Sequence, residues 1–121
     1  MGISIKDFAE NILKINYDSL KKGEVFIKFI IANGKVVFDP ELFVKFEKTY
    51  GEGSLYHKDI ADENKIDRGH VAGGAYVAIS TNKVRIAGQS KDFGRIDGYE
   101  EIAKIFFKNY FDSSVTVVVD L

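Results

Sequence analysis

The sequence predicts one α+β domain, a mixed β-sheet flanked by helices, and three observations carry that expectation. Runs rich in β-branched and aromatic residues (Val25 to Ala32, Ala75 to Ser80, Lys83 to Ala87, Val115 to Val119) alternate with segments of helical periodicity. Asn33-Gly34 and Thr81-Asn82 join neighbouring runs as tight hairpins. The order of strands and helices is irregular, unlike the strict alternation of a parallel α/β sheet. The 121 residues suffice for one modest core, with residues 1–22 as an N-terminal helical extension.

In chain order, Ser4 precedes Ile5, Phe8, Ala9, Ile12 and Leu13, a helical spacing with Asp7 placed to complete a cap. This predicts a helix over about residues 5–15, with continuation towards Gly23 left open. The strand Val25 to Ala32 turns at Asn33-Gly34 and returns over Lys35 to Phe38. Asp39-Pro40-Glu41 reads as N-cap, first helical residue and dipole-matching acid. Leu42, Phe43, Phe46 and Tyr50 continue that helix, and Gly51 ends it.

Ser54 or Leu55 opens a polar helix through about Asp67, its buried side formed by Ile60 and Ala61. Gly73-Gly74 leads into the strand Ala75 to Ser80, paired by hairpin with Lys83 to Ala87. Asp97 caps an amphipathic helix carrying Ile102, Ala103, Ile105, Phe106 and Tyr110. Val115 to Val119 is apolar enough for a central strand.

Composition narrows the function. Seventeen Lys and Arg face 18 Asp and Glu, a net charge of −1, which gives no global case for nucleic acid or anionic membrane. A local basic patch remains open, from Lys21, Lys22, Lys28, Lys58, Lys91 and Arg95. Without cysteine there is no disulfide, zinc finger or thiolate nucleophile. Two histidines, His57 and His70, do not suggest a histidine-rich metal cage. No signal-peptide pattern or membrane-length apolar run is present, so the expected location is cytoplasmic.

Two stretches suggest chemistry. Leu55-Tyr56-His57-Lys58-Asp59-Ile60 places a histidine where a loop becomes a helix, and Gly88 to Gly94 is a polar, glycine-bounded turn leaving a strand. N–H groups at a helix start and in such a turn can cradle an oxyanion, and phosphate above all. A partly exposed His57 at a helix start, kept neutral by the positive dipole end, is suited to accept a proton. A histidine merely hydrogen-bonded near the cap is the plainer alternative. His70 is the weaker candidate, beside Val71-Ala72 at a strand start.

Lys28 is the only charge in Val25 to Ile31. Strand alternation sets it on one face with Phe26 and Ile30, opposite Val25, Ile27, Phe29 and Ile31. It either meets an anion or guards a sheet edge against aggregation. Ser90 and the N–H groups after it can bind phosphate oxygens; the same glycines can equally do no more than turn the chain. The acids Asp59, Asp62, Glu63, Asp67 and Asp92 fit no calcium loop and read mainly as a solvated helix face.

Taken in order, these pieces resemble the small phosphohistidine phosphatase (Janus/ocnus) family. The matching segments are Phe26-Ile27-Lys28-Phe29-Ile30, Tyr56-His57-x-Asp59-Ile60, Gly73-Gly74 and Gly88-x-Ser90-x-x-Phe93-Gly94, followed by the final helix and strand. The resemblance spans about residues 23–120, and its specificity lies in the ordered set. It implies a phosphohistidine phosphatase-like α+β fold and hydrolysis of phosphohistidine in proteins, with no metal or other cofactor. His57 matches the catalytic histidine, Lys28 the phosphate-binding lysine and Ser90-Lys91-Asp92 the phosphate-binding turn; Lys58 joins the phosphate-binding set beside His57. An arginine commonly follows the family's glycine run, where Ala75 stands here.

The partner so implied is a phosphohistidine-containing protein or a phosphate-bearing small molecule, with no nucleic acid or membrane, and a monomer or weak homo-oligomer. A non-catalytic module binding phosphate or phosphoprotein with the same residues is the alternative.

Overall fold

The strand Val25–Ala32 (β1) forms as predicted, and its hairpin partner is Lys35–Val37 (β2). Asn33 and Gly34 both have positive φ, 54° and 74°, the geometry by which a two-residue turn matches the twist of its strands. The computed structural model describes residues 2–121. A first helical turn (α1, Ile5–Asp7), capped by the Ser4 hydroxyl, continues as a π-helix over Phe8–Leu13. Lys14 ends it in a left-handed conformation, and Tyr17–Lys21 adds a separate 3₁₀ segment.

The helix Pro40–Tyr50 (α2) starts on the Asp39 carboxylate, which accepts from Leu42 N at 3.1 Å. His57–Glu63 (α3), Val71–Ile79 (β3), Lys83–Ala87 (β4), Glu100–Tyr110 (α4) and Thr116–Asp120 (β5) follow. The sheet order is β2-β1-β3-β4-β5, antiparallel except for the parallel β4–β5 pair joined through α4. A mixed sheet flanked by helices, in one α+β domain, is what the sequence predicts.

Four local expectations are corrected. The helix at His57 spans two turns only, because Asn64 closes it and Lys65 turns left-handed at φ 57°. Asp97 does not cap α4: its carboxylate accepts from Arg95 Nε, and the helix begins after Tyr99. The inward residues of α4 are Ala103 and Phe107, four apart and in line with buried Phe111, whereas Ile102 and Ile105 face solvent. β5 lies at the sheet edge rather than its centre: the crossover delivers it beside β4, and only Val117 is buried.

The two faces of the sheet have different covers. One carries Ile27, Phe29, Ile31, Val77, Val84 and Ile86, packed beneath the N-terminal helical segment and α4. Phe8, Ala9, Leu13 and Leu20 belong to this larger core, and Phe8 meets Phe111 edge-on at 5.1 Å. On the opposite face, Ile30 and Ala32 pack with Leu42, Leu55, Ile60 and Ala61 beneath α2 and α3. These helices cover one end of the face, leaving Phe26, Lys28 and Tyr76 accessible beside them. No helix among the described residues is long and apolar enough to cross a membrane.

Candidate functional site

The site is built on Gly73 and Gly74. They lie inside β3, which starts at Val71, rather than leading into it. The chain leaving β4 folds back across them: Gly74 N donates to Gly94 O, Ser90 N donates to Gly74 O, and Gly94 N donates to Ser90 O. A Cβ at Gly73 would stand 2.0 Å from Arg95 O, so the crossing requires bare backbone. At Gly74 a Cβ would meet His57 Cδ2 at 2.5 Å and Ser90 Cβ at 3.0 Å. The glycine pair thereby brings together the histidine of α3 and the turn after β4.

His57 is only 4 % exposed, not partly exposed as the sequence suggests. The start of α3 is fixed by Asp59, whose carboxylate accepts from Tyr56 N at 2.9 Å. This closure seats the ring over Gly74, with Nε2 2.8 Å from the Ala75 carbonyl oxygen. A carbonyl only accepts, so Nε2 carries the proton and Nδ1 keeps the lone pair. No side-chain nitrogen or oxygen among the described residues is both sealed from solvent and without a partner. Among the described residues Nδ1 has no hydrogen-bond partner and so is not sealed from solvent, and His57 is one of the residues lining the adjoining cleft.

The imidazole pKa lies below its ordinary value, chiefly through burial and further through the nearby Lys28 ammonium; the Ala75 hydrogen bond and the Asp92 carboxylate oppose the shift. A two-turn helix is a modest dipole, and burial does most of the work expected of it. His57 is neutral at pH 7.

The cleft has a volume of about 350 Å³, and His57, Lys28, Lys58, Lys91, Asp92 and Tyr76 are among its walls. Lys28 Nζ donates to Leu55 O at 2.9 Å and lies 5.2 Å from the Tyr56 ring centre. Lys58 Nζ approaches the same ring at 5.8 Å. Tyr56 therefore holds two ammonium groups by its π-face at the cleft mouth. Lys28 is tied down beside His57 and not left as a loose edge lysine.

The turn after β4 differs from the phosphate cradle expected of it. Ser90 is buried, and its Oγ accepts from Asp92 N at 3.1 Å and Phe93 N at 3.0 Å. Those N–H groups are satisfied inside the turn, so Ser90 shapes it and does not line the cleft. The Asp92 carboxylate approaches Lys58 N at 3.4 Å, placing a negative charge within the cationic cleft.

The other candidates have local tasks. Asp62 pairs with Arg68, Asp67 accepts from Gly69 N, and His70 is exposed in a 3₁₀ turn. Lys21 pairs with Asp18, Arg95 pairs with Asp97, and exposed Lys22 is not among the cleft residues, so the basic patch at the cleft consists of Lys28, Lys58 and Lys91. Among the described residues no group of three or more His, Cys, Asp or Glu is arranged to hold a metal ion.

Ala75 is fully buried on the core side of β3, where an arginine would not reach the cleft; Tyr76 is the cleft residue after the glycines. Tyr76 and Tyr56 are absent from the sequence-derived site set. Alternation from Gly74 points to Tyr76 once β3 is extended back through the glycines, whereas nothing local distinguishes Tyr56 from a helix-start residue. The chain matches no family model, no curated protein and no solved structure.

Proposed function

We propose that the protein is a metal-independent phosphatase hydrolysing the P–N bond of phosphohistidine in proteins. The observation that carries this reading is the state of His57: buried, neutral, its Nε2–H committed to Ala75 and its Nδ1 without a partner, on a residue that lines a cleft walled by three lysines. The ordered resemblance of the same segments to the phosphohistidine phosphatases is in line with it.

In the base route, Nδ1 takes a proton from water as the water oxygen attacks phosphorus. The P–N bond breaks, its electron pair leaves with the substrate imidazole, and that nitrogen takes up the proton that Nδ1 had accepted. In the nucleophile route, Nδ1 attacks phosphorus, and the substrate P–N bond breaks with its electron pair leaving on the substrate imidazole, which takes a proton from solvent. Water then attacks the phosphorus on His57, releasing phosphate and returning the lone pair to Nδ1. The Ala75 bond serves both routes by fixing the tautomer and steadying the imidazolium that forms. Lys28, Lys58 and Lys91 offset charge on the phosphoryl oxygens, the main demand of a loose phosphoryl-transfer transition state.

A phosphate-binding module without turnover is the competing reading, favoured by the close packing of His57 against Gly74, as in a structural histidine. Incubation with phosphorylated polyhistidine or phosphoramidate in the presence of chelator separates the two. Release of inorganic phosphate above the spontaneous rate, abolished in His57→Ala, supports hydrolysis. Saturable vanadate binding without release supports the module.

A further inference from the structure

The phosphoryl-binding cleft is not the only concavity on this face. A second groove, of about 330 Å³, adjoins it, and the two share Lys28 and Tyr76 as their common wall. Phe26, Phe43, Leu55 and Tyr76 form an apolar lining. Phe26 is 52 % exposed on the open sheet face, packed edge-on against Tyr76 at 5.4 Å. Tyr76 is itself held in place: a Cβ at Gly88 would stand 2.2 Å from its ring. An exposed, fixed aromatic pair in a groove is a binding feature rather than a scattered surface residue.

The charge of the groove is opposite to that of the cleft. Glu24, Glu47 and Glu52 line it, with Lys28 on the shared wall its only cation. Glu24 pairs with Arg85 and Glu47 accepts from Gly53 N, whereas Glu52 is exposed and makes no hydrogen bond or ion pair. The cleft beside it carries Lys28, Lys58 and Lys91 against Asp92.

Resting on the phosphatase reading above, we propose that this groove binds the polypeptide flanking the phosphohistidine, and selects a segment that carries an apolar residue and a lysine or arginine. With the phosphoryl group against Lys28, residues one or two positions along an extended chain, at about 3.3 Å each, fall over Phe26 and Tyr76. Glu52, exposed in the lining of the same groove, offers a carboxylate to a basic side chain of that segment. The pairing of a cationic cleft with an anionic groove fixes both the presence of the phosphoryl group and the character of its surroundings.

Two phosphohistidine peptides that differ only in flanking lysine or glutamate, together with phosphoramidate, test this. The expected kcat/KM is about tenfold higher for the lysine peptide, since attraction to Glu52 becomes repulsion in its partner. Glu52→Lys cuts that ratio to about twofold or less, and Phe26→Ser lowers the rate on the lysine peptide about fivefold.

Equal rates on the two peptides with phosphoramidate still hydrolysed overturn the groove and leave the phosphatase reading standing. If no substrate is hydrolysed, anisotropy of labelled peptides carrying a stable phosphonate analogue of phosphohistidine gives the answer. Tighter binding of the lysine peptide, lost in Glu52→Lys, keeps the groove and removes the enzyme. Equal or absent binding overturns the groove.

Discussion

His57 Nε2 and the Ala75 carbonyl oxygen are 2.8 Å apart, and the bond fixes the chemical identity of the ring. It assigns the proton to one nitrogen and the basic lone pair to the other, before any substrate arrives. It also ties the histidine of α3 to β3, the strand that carries the two glycines.

Replacing His57 with alanine removes the proton acceptor and is expected to lower phosphatase activity at least about 10²-fold. The buried position adds a second effect, because the Ala75 carbonyl loses its side-chain partner and the packing over Gly74 is lost. A stability loss of about 1–3 kcal/mol is therefore expected, read by urea denaturation. Activity retained within about threefold in a folded variant would show that another group does the chemistry.

The lowered pKa of His57 has a definite sign in pH titrations. In the unfolded chain the ring protonates near its ordinary value of 6.5, before the folded ring does, so acid favours unfolding. The stability attached to neutral His57 is full above about pH 6.5 and is lost as pH falls through the depressed folded value. The melting temperature of the wild type should fall over that window more steeply than that of His57→Gln. Activity should follow the same ring, with kcat/KM flat through neutrality and an acid limb below 6.5.

Gly74→Ala tests the close approach that assembles the site. The added methyl lies 2.5 Å from His57 Cδ2 and 3.0 Å from Ser90 Cβ, so the ring or the turn must move. A stability cost of about 1–3 kcal/mol is expected, together with a fall in kcat larger than any rise in KM. The reverse pattern, a raised KM with kcat intact, would mean that His57 is not displaced.

Lys28 and Asp92 should act in opposite directions on anion affinity. Lys28→Ala removes an ammonium and weakens vanadate binding, and Lys28→Arg restores it only in part, because the guanidinium cannot repeat the Leu55 and Tyr56 contacts in the same space. Asp92→Asn removes a repelling carboxylate and strengthens binding about twofold to fivefold. It also removes an influence that raises the His57 pKa, so the acid limb of activity moves to lower pH. Calorimetric titration of the soluble variants decides both, and unaltered affinity in Lys28→Ala would return that residue to a purely structural role.

What sequence could and could not reveal divides by range of interaction. The Asn33-Gly34 hairpin, the Asp39 cap and the alternation of β1 follow from neighbours in the chain, and the structure agrees with each. The edge position of β5 and the burial of His57 depend on what crosses over them, which local pattern does not encode. Ser90 is the sharpest case. Its neighbourhood suggests free N–H donors, yet the hydroxyl that makes the turn attractive is the group that consumes them.

The contact between Phe8 and Phe111 has a consequence for the birth of the protein on the ribosome. Ile3 N also donates to Tyr110 O and Asp112 N to Ile3 O, so both ends of the sequence are laced into one seam. The larger core cannot close while only its first half has been synthesised. Phe8, Ala9 and Leu13 lack their Phe107 and Phe111 counterparts until those have been made, so this core closes through contacts about a hundred residues apart, the kind of topology that slows folding.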